Sequence, residues 1–468
     1  MARISSNSMG WLLLAAQGAL AGLTVDVENT DSIKAAAALV AEDLIGLYDG
    51  EEPGKIPGIL PGVEDGFIGW WSGGVLWDTL LEYKSLTGES KYDETISRGI
   101  QFQAGSKNDF LPANWSISIT NAHQGIWALS AVTANETGLK LDENSPQWFT
   151  LASNVFEELN SEERRVKEGD CAGALRWMII PKNNRYIYVD STSNAVFLNL
   201  AAQLAHLTGN QSYADAATST YDLLTRIGFV TKNFDVYDGA FADECKNFIK
   251  IQFSWNAAYL LEGSAYMYNL TGNDTWKTRV DGLVDRSLEL FFPDGVATEL
   301  NCEKEGNCNM DIHFFKGILH RALASTVKLA PHTASKILPS LKSSAKKAAA
   351  QCTGGKNGRM CGFAWSSEEY DGETGPSQQI NVLSALISIL PPNEQGSEGN
   401  NNTGAGNGSG SGSASGSGSG NGNGNGNGNS QGNSQENTSG DDTQGNAGTK
   451  VSVGLALWGS LLLGSLFL

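Results

Sequence analysis

Three copies of one short pattern punctuate the chain: Leu86-Thr87-Gly88-x-x-x-Tyr92, Leu207-Thr208-Gly209-x-x-x-Tyr213 and Leu270-Thr271-Gly272-x-x-x-Trp276. Each closes a segment whose apolar residues recur at helical spacing, and each opens another. Glycine after a last helical turn adopts the left-handed backbone cheaply and so caps the helix. The aromatic four residues on is expected to pack back over the hairpin corner. The second and third copies lie 63 residues apart and the first and second 121, close to two such units. Regular spacing of this length marks a repeated helical hairpin.

Working outward, the 3.6-residue periodicity predicts twelve helices. They cover residues 32–48, 72–86, 92–104, 122–135, 145–159 and 194–207 in the first half, then 213–227, 255–269, 275–291, 311–330, 334–351 and 378–390. Twelve helices in six hairpins predict an all-α fold, an (α/α)6 barrel. An open solenoid of hairpins is the alternative, and periodicity does not separate the two. Loops 105–121, 175–193, 230–254 and 293–310, rich in Gly, Asn, Asp and aromatics, recur before alternate helices. Loops this long in a compact body carry function, and gathered at one rim they would form a cleft.

The ends differ in character from this body. Arg3, the apolar run from Trp11 to Ala16 and the small-x-small Ala19-Leu20-Ala21 read as a secretory signal peptide over 1–21. The run is too short to span a bilayer. The body covers 22–392. Residues 393–449 are nearly all Gly, Ser and Asn, a composition that cannot bury enough apolar surface to fold, and are expected to form a disordered linker. As a flexible coil its ends would lie roughly 40 Å apart. Residues 450–468 form an apolar tail behind small residues and Lys450, the pattern of a removed glycosylphosphatidylinositol (GPI) signal. Asn446 is the first choice of attachment residue, with the group Ser439 to Asp441 second.

Asn-x-Ser/Thr triplets begin at Asn114, Asn135, Asn210, Asn269 and Asn273 in the body and at Asn401, Asn407 and Asn437 in the linker. Behind a signal peptide they read as N-glycosylation sites. Six cysteines in a secreted chain imply three disulfides. Spacing narrows the fifteen connectivities to short loops Cys302–Cys308 and Cys352–Cys361, leaving Cys171–Cys245. The net charge of −19 argues against nucleic acid or an acidic polymer as partner. No Cys/His cluster has metal-ligand spacing and no phosphate-binding glycine loop follows a strand, so no cofactor is expected.

Residues 117–127 read Ile-Ser-Ile-Thr-Asn-Ala-His-Gln-Gly-Ile-Trp. The stretch resembles the catalytic segment Gly-Asn-Asp-Asp-Gln-x-x-Trp of the fungal endo-1,6-α-mannanases, glycoside hydrolase family 76. Asn121, Gln124 and Trp127 hold their places, while Ala122 and His123 stand where that family has its catalytic aspartates. Further landmarks of the resemblance are Trp70-Trp71 with Gly73 and Trp77, Gln103-x-Gly105 leading to Asp109-Phe110-Leu111-Pro112, and Cys171-x-Gly173-x-Leu175-Arg176-Trp177. Then come Tyr237-Asp238-Gly239, Gln252-x-x-Trp255-Asn256, Lys277-Thr278-Arg279-Val280-Asp281-Gly282-Leu283 and Phe315-Lys316. The resemblance runs from about Thr24 to Pro392. It implies the (α/α)6 barrel, a groove at one rim, α-1,6-mannan or the mannose of a GPI glycan as ligand, and wall biogenesis at the extracellular face as setting.

Retaining glycoside hydrolysis needs two carboxyl groups about 5–5.5 Å apart. An alanine supplies neither role, and a neutral imidazole is a poor partner for an oxocarbenium-like centre. Asp109 and Asp238 are the candidate substitutes. Asp109 also reads as a turn cap, and Asp238-Gly239 as an ordinary turn. For sugar binding the candidates are Trp70, Trp71, Asn121, Gln124, Arg176, Asp238 and Asn256, with aromatic faces for the pyranose and polar groups for its hydroxyls. Trp115, Trp177 and Trp255 also adjoin the cleft loops, while Trp77 and Trp127 sit at helix-interior spacing and read as core. Three readings result: a mannan-binding relative with little or no hydrolysis, an active glycosidase using a displaced carboxylate, and a structural surface glycoprotein.

Overall fold

The computed structural model describes residues 22–141, 145–367 and 369–392. The expectations for the signal peptide, the linker with Asn401, Asn407 and Asn437, the attachment residue Asn446 and the apolar tail lie outside the described residues.

Twelve α-helices occur among the described residues. They are α1 Thr30–Ile45, α2 Ser72–Thr87, α3 Asp93–Phe102, α4 Asn121–Glu136, α5 Trp148–Asn160 and α6 Ser191–Thr208. The second half contributes α7 Gln211–Ile227, α8 Ser254–Thr271, α9 Asp274–Phe291, α10 Phe315–Leu329, α11 Ala334–Ala350 and α12 Pro376–Ile387. The even-numbered helices pack in succession, α2 on α4, α4 on α6, α6 on α8, α8 on α10 and α10 on α12, and α12 returns to α2. That last contact closes the ring and removes the open solenoid. The odd-numbered helices pack outside it, α1 on α12, α5 on α4, α7 on α6 and α9 on α8. The fold is an (α/α)6 barrel.

Residue choice explains which helix goes where. A helix in the inner ring has neighbours on every side, so it needs no polar face: α6 buries every residue from Ser191 to Ala205. Outer α7 buries one stripe, Tyr213, Ala214, Ala217, Thr220, Tyr221, Leu224 and Ile227, and exposes the rest. Inner helices also approach closely through glycine. A Cβ on Gly263 of α8 would lie 2.4 Å from Leu198 Cδ2 and 2.8 Å from Asn199 Cα of α6.

The repeated turns take the expected left-handed form, with φ of 82° at Gly88, 69° at Gly209 and 61° at Gly272. Their N–H groups donate to the carbonyls of Lys84, Ala205 and Tyr268. The threonine before each glycine has a role that the pattern alone does not reveal. Thr87, Thr208 and Thr271 donate back to the carbonyls of Tyr83, Leu204 and Met267, and accept the N–H groups of Glu89, Asn210 and Asn273. One hydroxyl thus stitches both sides of each corner. The aromatics reach farther than the corner. Tyr213 packs edge-on against Phe156 of α5 and Trp276 against Tyr221 of α7, fastening consecutive outer helices together.

Cys171–Cys245, Cys302–Cys308 and Cys352–Cys361 are bonded. Cys352 and Cys361 sit on a small hairpin; the other two bridges tie the long loops. Short strands β1 Tyr188–Asp190 and β2 Gly239–Phe241 pair antiparallel, with Asp190 opposite Gly239. Around them Thr120 bridges Met178, the Asn121 N–H donates to the Trp177 carbonyl, and the Trp177 N–H donates to the Tyr188 carbonyl. The loops before α4, α6 and α8 are therefore woven into one ladder across the N-terminal ends of the inner helices.

Candidate functional site

Six inner helices beginning at one end bring their first residues together. Trp71, at the start of α2, is the hub. Its ring lies 6.2 Å from His123 of α4, 5.4 Å from Trp255 of α8, and 5.3 and 6.2 Å from Phe314 and Phe315 at α10. Trp255 stacks on Phe315 at 4.2 Å. On the α6 side, Asn256 donates to Ser191 Oγ at 2.7 Å. Four helix starts thus meet in one aromatic cluster.

The position of the expected aspartates lies beside this cluster. Ala122 is 1% exposed and offers only a methyl group. His123 is half-buried and serves the helix: its Nδ1 accepts the Thr120 N–H, and Thr120 Oγ1 accepts the His123 N–H at 3.1 Å. This reciprocal arrangement is a capping box, with imidazole doing what a carboxylate usually does. Burial pushes the imidazole down to about 3, so it is neutral throughout the range where proteins are handled. A neutral ring already accepting a backbone proton at Nδ1 is no general acid of useful strength.

The residues flanking this position hold the frame. Asn121 Nδ2 donates to the Arg176 carbonyl at 2.6 Å, and Gln124 Nε2 donates to the Asp109 carbonyl at 2.7 Å. Both side-chain oxygens accept from one guanidinium nitrogen of Arg164, at 2.8 and 3.2 Å, while the other binds Glu158 at 2.9 Å. Arg164 escaped the sequence reading, since nothing in Glu-Glu-Arg-Arg distinguishes the one arginine that turns inward. Asn121, Gln124 and Asn256 are fully buried. Their expected place as sugar ligands is corrected: they tie loops to helix starts. Arg176 is half-buried, donates to the Tyr186 carbonyl and lies over the Tyr186 ring at 4.6 Å.

Trp70 and Trp71 are also corrected. At 3% and 1% exposure neither presents a face to solvent. Trp70 stacks on Trp127 at 5.0 Å and donates its indole N–H to Gln103. Trp77 and Trp127 are core, as expected. The half-exposed tryptophans at this end are Trp115, Trp177 and Trp255. A double tryptophan reads as a sugar platform in sequence because composition carries no information about which faces neighbouring helices will cover.

Of the two candidate carboxylates, Asp109 is 4% exposed and accepts the Leu111 N–H across its own turn, between left-handed Asn108 and Phe110. It is a turn former turned away from solvent, and burial raises its pKa. Asp238 is half-buried, accepts the Tyr188 hydroxyl at 2.5 Å, and is also bonded by Asn256. Burial raises it despite both bonds.

Three further acids surround the helix starts. Asp190 caps α6 by accepting the Ser193 N–H, and burial pushes it up to about 7, with Asp238 adding repulsion. Glu299 receives the Ser254 hydroxyl at the start of α8 and is pushed up to about 7 by burial. Asp311 accepts the Gly69 N–H at 3.1 Å and the Trp71 side chain, and burial raises it too. An acid before Ser-x-Ser, as at Asp190, was a legible cap signal; Glu299 and Asp311 reach their helices from distant loops and were not.

This geometry can be set beside known proteins. The family model for glycosyl hydrolase family 76 matches residues 32–400. The mannan endo-1,6-alpha-mannosidase DCW1 of Saccharomyces cerevisiae is 34% identical over 368 residues, covering 78% of this chain and 80% of the relative. The mannan endo-1,6-alpha-mannosidase DFG5 of Candida albicans is 32% identical, covering 84% and 87%. The crystal structure of Dfg5 from Chaetomium thermophilum, solved with glucosamine, superposes with a TM-score of 0.75 at 38% identity, covering 78% of this chain and 92% of that one. The α-1,6-mannanase of a Salegentibacter species shares the fold at a TM-score of 0.60. With family model, relatives and barrel in agreement, this chain belongs to glycosyl hydrolase family 76.

Proposed function

We propose that this chain binds α-1,6-linked mannose, as mannan or as the mannose of a GPI glycan, at the fungal cell surface, with little or no hydrolysis. The observation that carries the reading is the pair Ala122 and His123 at the start of α4, one a buried methyl and the other a neutral capping imidazole. The relatives named as mannan endo-1,6-alpha-mannosidases support the ligand class. A Salegentibacter α-1,6-mannanase with two adjacent aspartates changed to asparagine is called inactive and still holds α-1,6-mannotriose. That protein shows on its own account that such a barrel can keep its ligand without its acids. Loss of preorganised catalytic groups costs on the order of a hundred- to thousandfold each.

The same reading takes the protein to be secreted, N-glycosylated and lipid-anchored through Asn446, with the linker as tether to membrane or wall glucan. Asn114, Asn210, Asn269 and Asn273 are exposed and Asn135 half-buried, which suits glycosylation at the first four. The test incubates the purified protein with unbranched α-1,6-mannan, measuring binding and released reducing ends separately. Retention without release supports the proposal. Release abolished by Asp238→Asn would replace it with the displaced-carboxylate reading, favoured by the half-buried Asp238, which precedes β2 and repels the Asp190 carboxyl. Neither retention nor release would point to the structural glycoprotein.

A further inference from the structure

The Lys277–Leu283 motif stands on α9, an outer helix, away from the cleft. Part of it is architectural. Asp281 joins Lys277 at 2.6 Å to His332 at 2.7 Å, and Gly282 leaves room for the Phe234 ring, which would lie 2.1 Å from a Cβ there. Phe234 is held in the left-handed region at φ 62°, a conformation a bulky residue adopts only when its surroundings enforce it. The result is a groove of about 610 Å³ between α7, α9 and the loop carrying Lys232 and Phe234. Its volume lies within the range of small-ligand sites.

The groove's chemistry is distinctive. The Arg279 guanidinium carbon lies 4.0 Å from the Tyr221 ring and 4.4 Å from the Trp276 ring, two rings set edge to face, so an aromatic corner holds the group and leaves an N–H edge to pair. That edge holds the Asp222 carboxylate at 2.5 Å, whose side chain is 60% exposed. Lys232 is exposed beside it, and the hydroxyl of Thr278 and the ring of Phe234 complete the wall. A rigid guanidinium edge is a fork for a planar or tetrahedral anion, and an exposed carboxylate from the same chain already sits in it. The net charge of −19 opposes long acidic polymers, but beyond about 8 Å it is screened at physiological salt, leaving a single anionic group to the local cations.

We propose that this groove is a second, non-catalytic binding site for a sugar carrying one anionic group, with the anion displacing Asp222 from Arg279 and the sugar ring lying against Phe234. The test titrates the full-length protein with glucose 6-phosphate, glucuronate and neutral glucose, following ligand signals by saturation-transfer NMR. The proposal expects either anionic sugar to bind, with the two arms telling phosphate from carboxylate, and added salt to weaken it. Asp222→Asn, which removes the internal competitor, should tighten binding about two- to fivefold, the range of one exposed ion pair. Lys232→Glu, an exposed change that leaves the fold intact, should weaken it at least as much. No binding of either anionic sugar, equal binding of glucose, or indifference to both substitutions would overturn the assignment.

Discussion

Replacing Arg321 by methionine tests the interior of the barrel. Arg321 of α10 is 6% exposed and reaches across to α2, where it holds Asp78 at 2.6 Å and Glu82 at 2.8 Å. Methionine fills much of the same volume but leaves two carboxyls without their cation. Breaking a buried pair typically costs about 3–5 kcal/mol. Asp78 and Glu82 keep 16% and 28% of their side-chain surface, so solvent softens the penalty toward the lower figure, about 3 kcal/mol. At roughly 2–4 °C per kcal/mol for a large domain, Tm should fall by about 6–12 °C. The deficit should also depend on pH. Burial pushes Glu82 up to about 8, against an ordinary carboxyl near 4. That value includes the lowering by Arg321, so without the cation Glu82 keeps its proton to still higher pH, and above pH 8 only the wild type gains from ionising it. Calorimetry of wild type and Arg321→Met at pH 5 and pH 8.5 should therefore show the larger gap at pH 8.5. Equal Tm values, or a gap that widens on acidification, would refute the reasoning.

Three other outcomes follow from the same coordinates. Acids whose folded pKa is raised contribute stability in full below their unfolded pKa, and lose it as pH climbs through the folded one. With Glu82 near 8 and Asp190 and Glu299 near 7, wild-type Tm should decline between pH 6.5 and 8.5. Below pH 6.5 the buried His123, His313 and His320, all pushed down to about 3 or 4, work in the opposite direction. Gly263→Ala should cost about 1–3 kcal/mol in urea unfolding, because its new methyl meets the α6 backbone. Asp238→Asn should weaken mannan retention about ten- to hundredfold if the carboxyl holds a sugar hydroxyl, a charged hydrogen bond being worth about 1.5–3 kcal/mol; unchanged retention would remove Asp238 from the groove.

Much of the architecture was legible because it rests on local rules. The Leu-Thr-Gly turns announce themselves through a residue that adopts φ near 70° without strain, and an inner helix such as α6 betrays itself by lacking a polar face. Ring closure was not local: it depends on α12 meeting α2, some 300 residues away, and periodicity is silent about that. The site divides in the same way. The replacement at Ala122 and His123 was visible in the letters, whereas the fates of Trp70, Asn121 and Gln124 were decided by which partners the tertiary fold laid over them. Arg164, Glu299 and Asp311 act on helix starts 43 to 242 residues away in sequence. Such contacts have no sequence signature of their own.

The most direct test of the central claim is the release of reducing ends from unbranched α-1,6-mannan by the purified wild-type protein, run beside the double substitution Ala122→Asp with His123→Asp. The account predicts retention of mannan with no release above background for the wild type, and release only from the variant, provided it folds. Sustained depolymerisation by the wild type would contradict it, because the groups on which such catalysis depends would then have to lie elsewhere than at the start of α4.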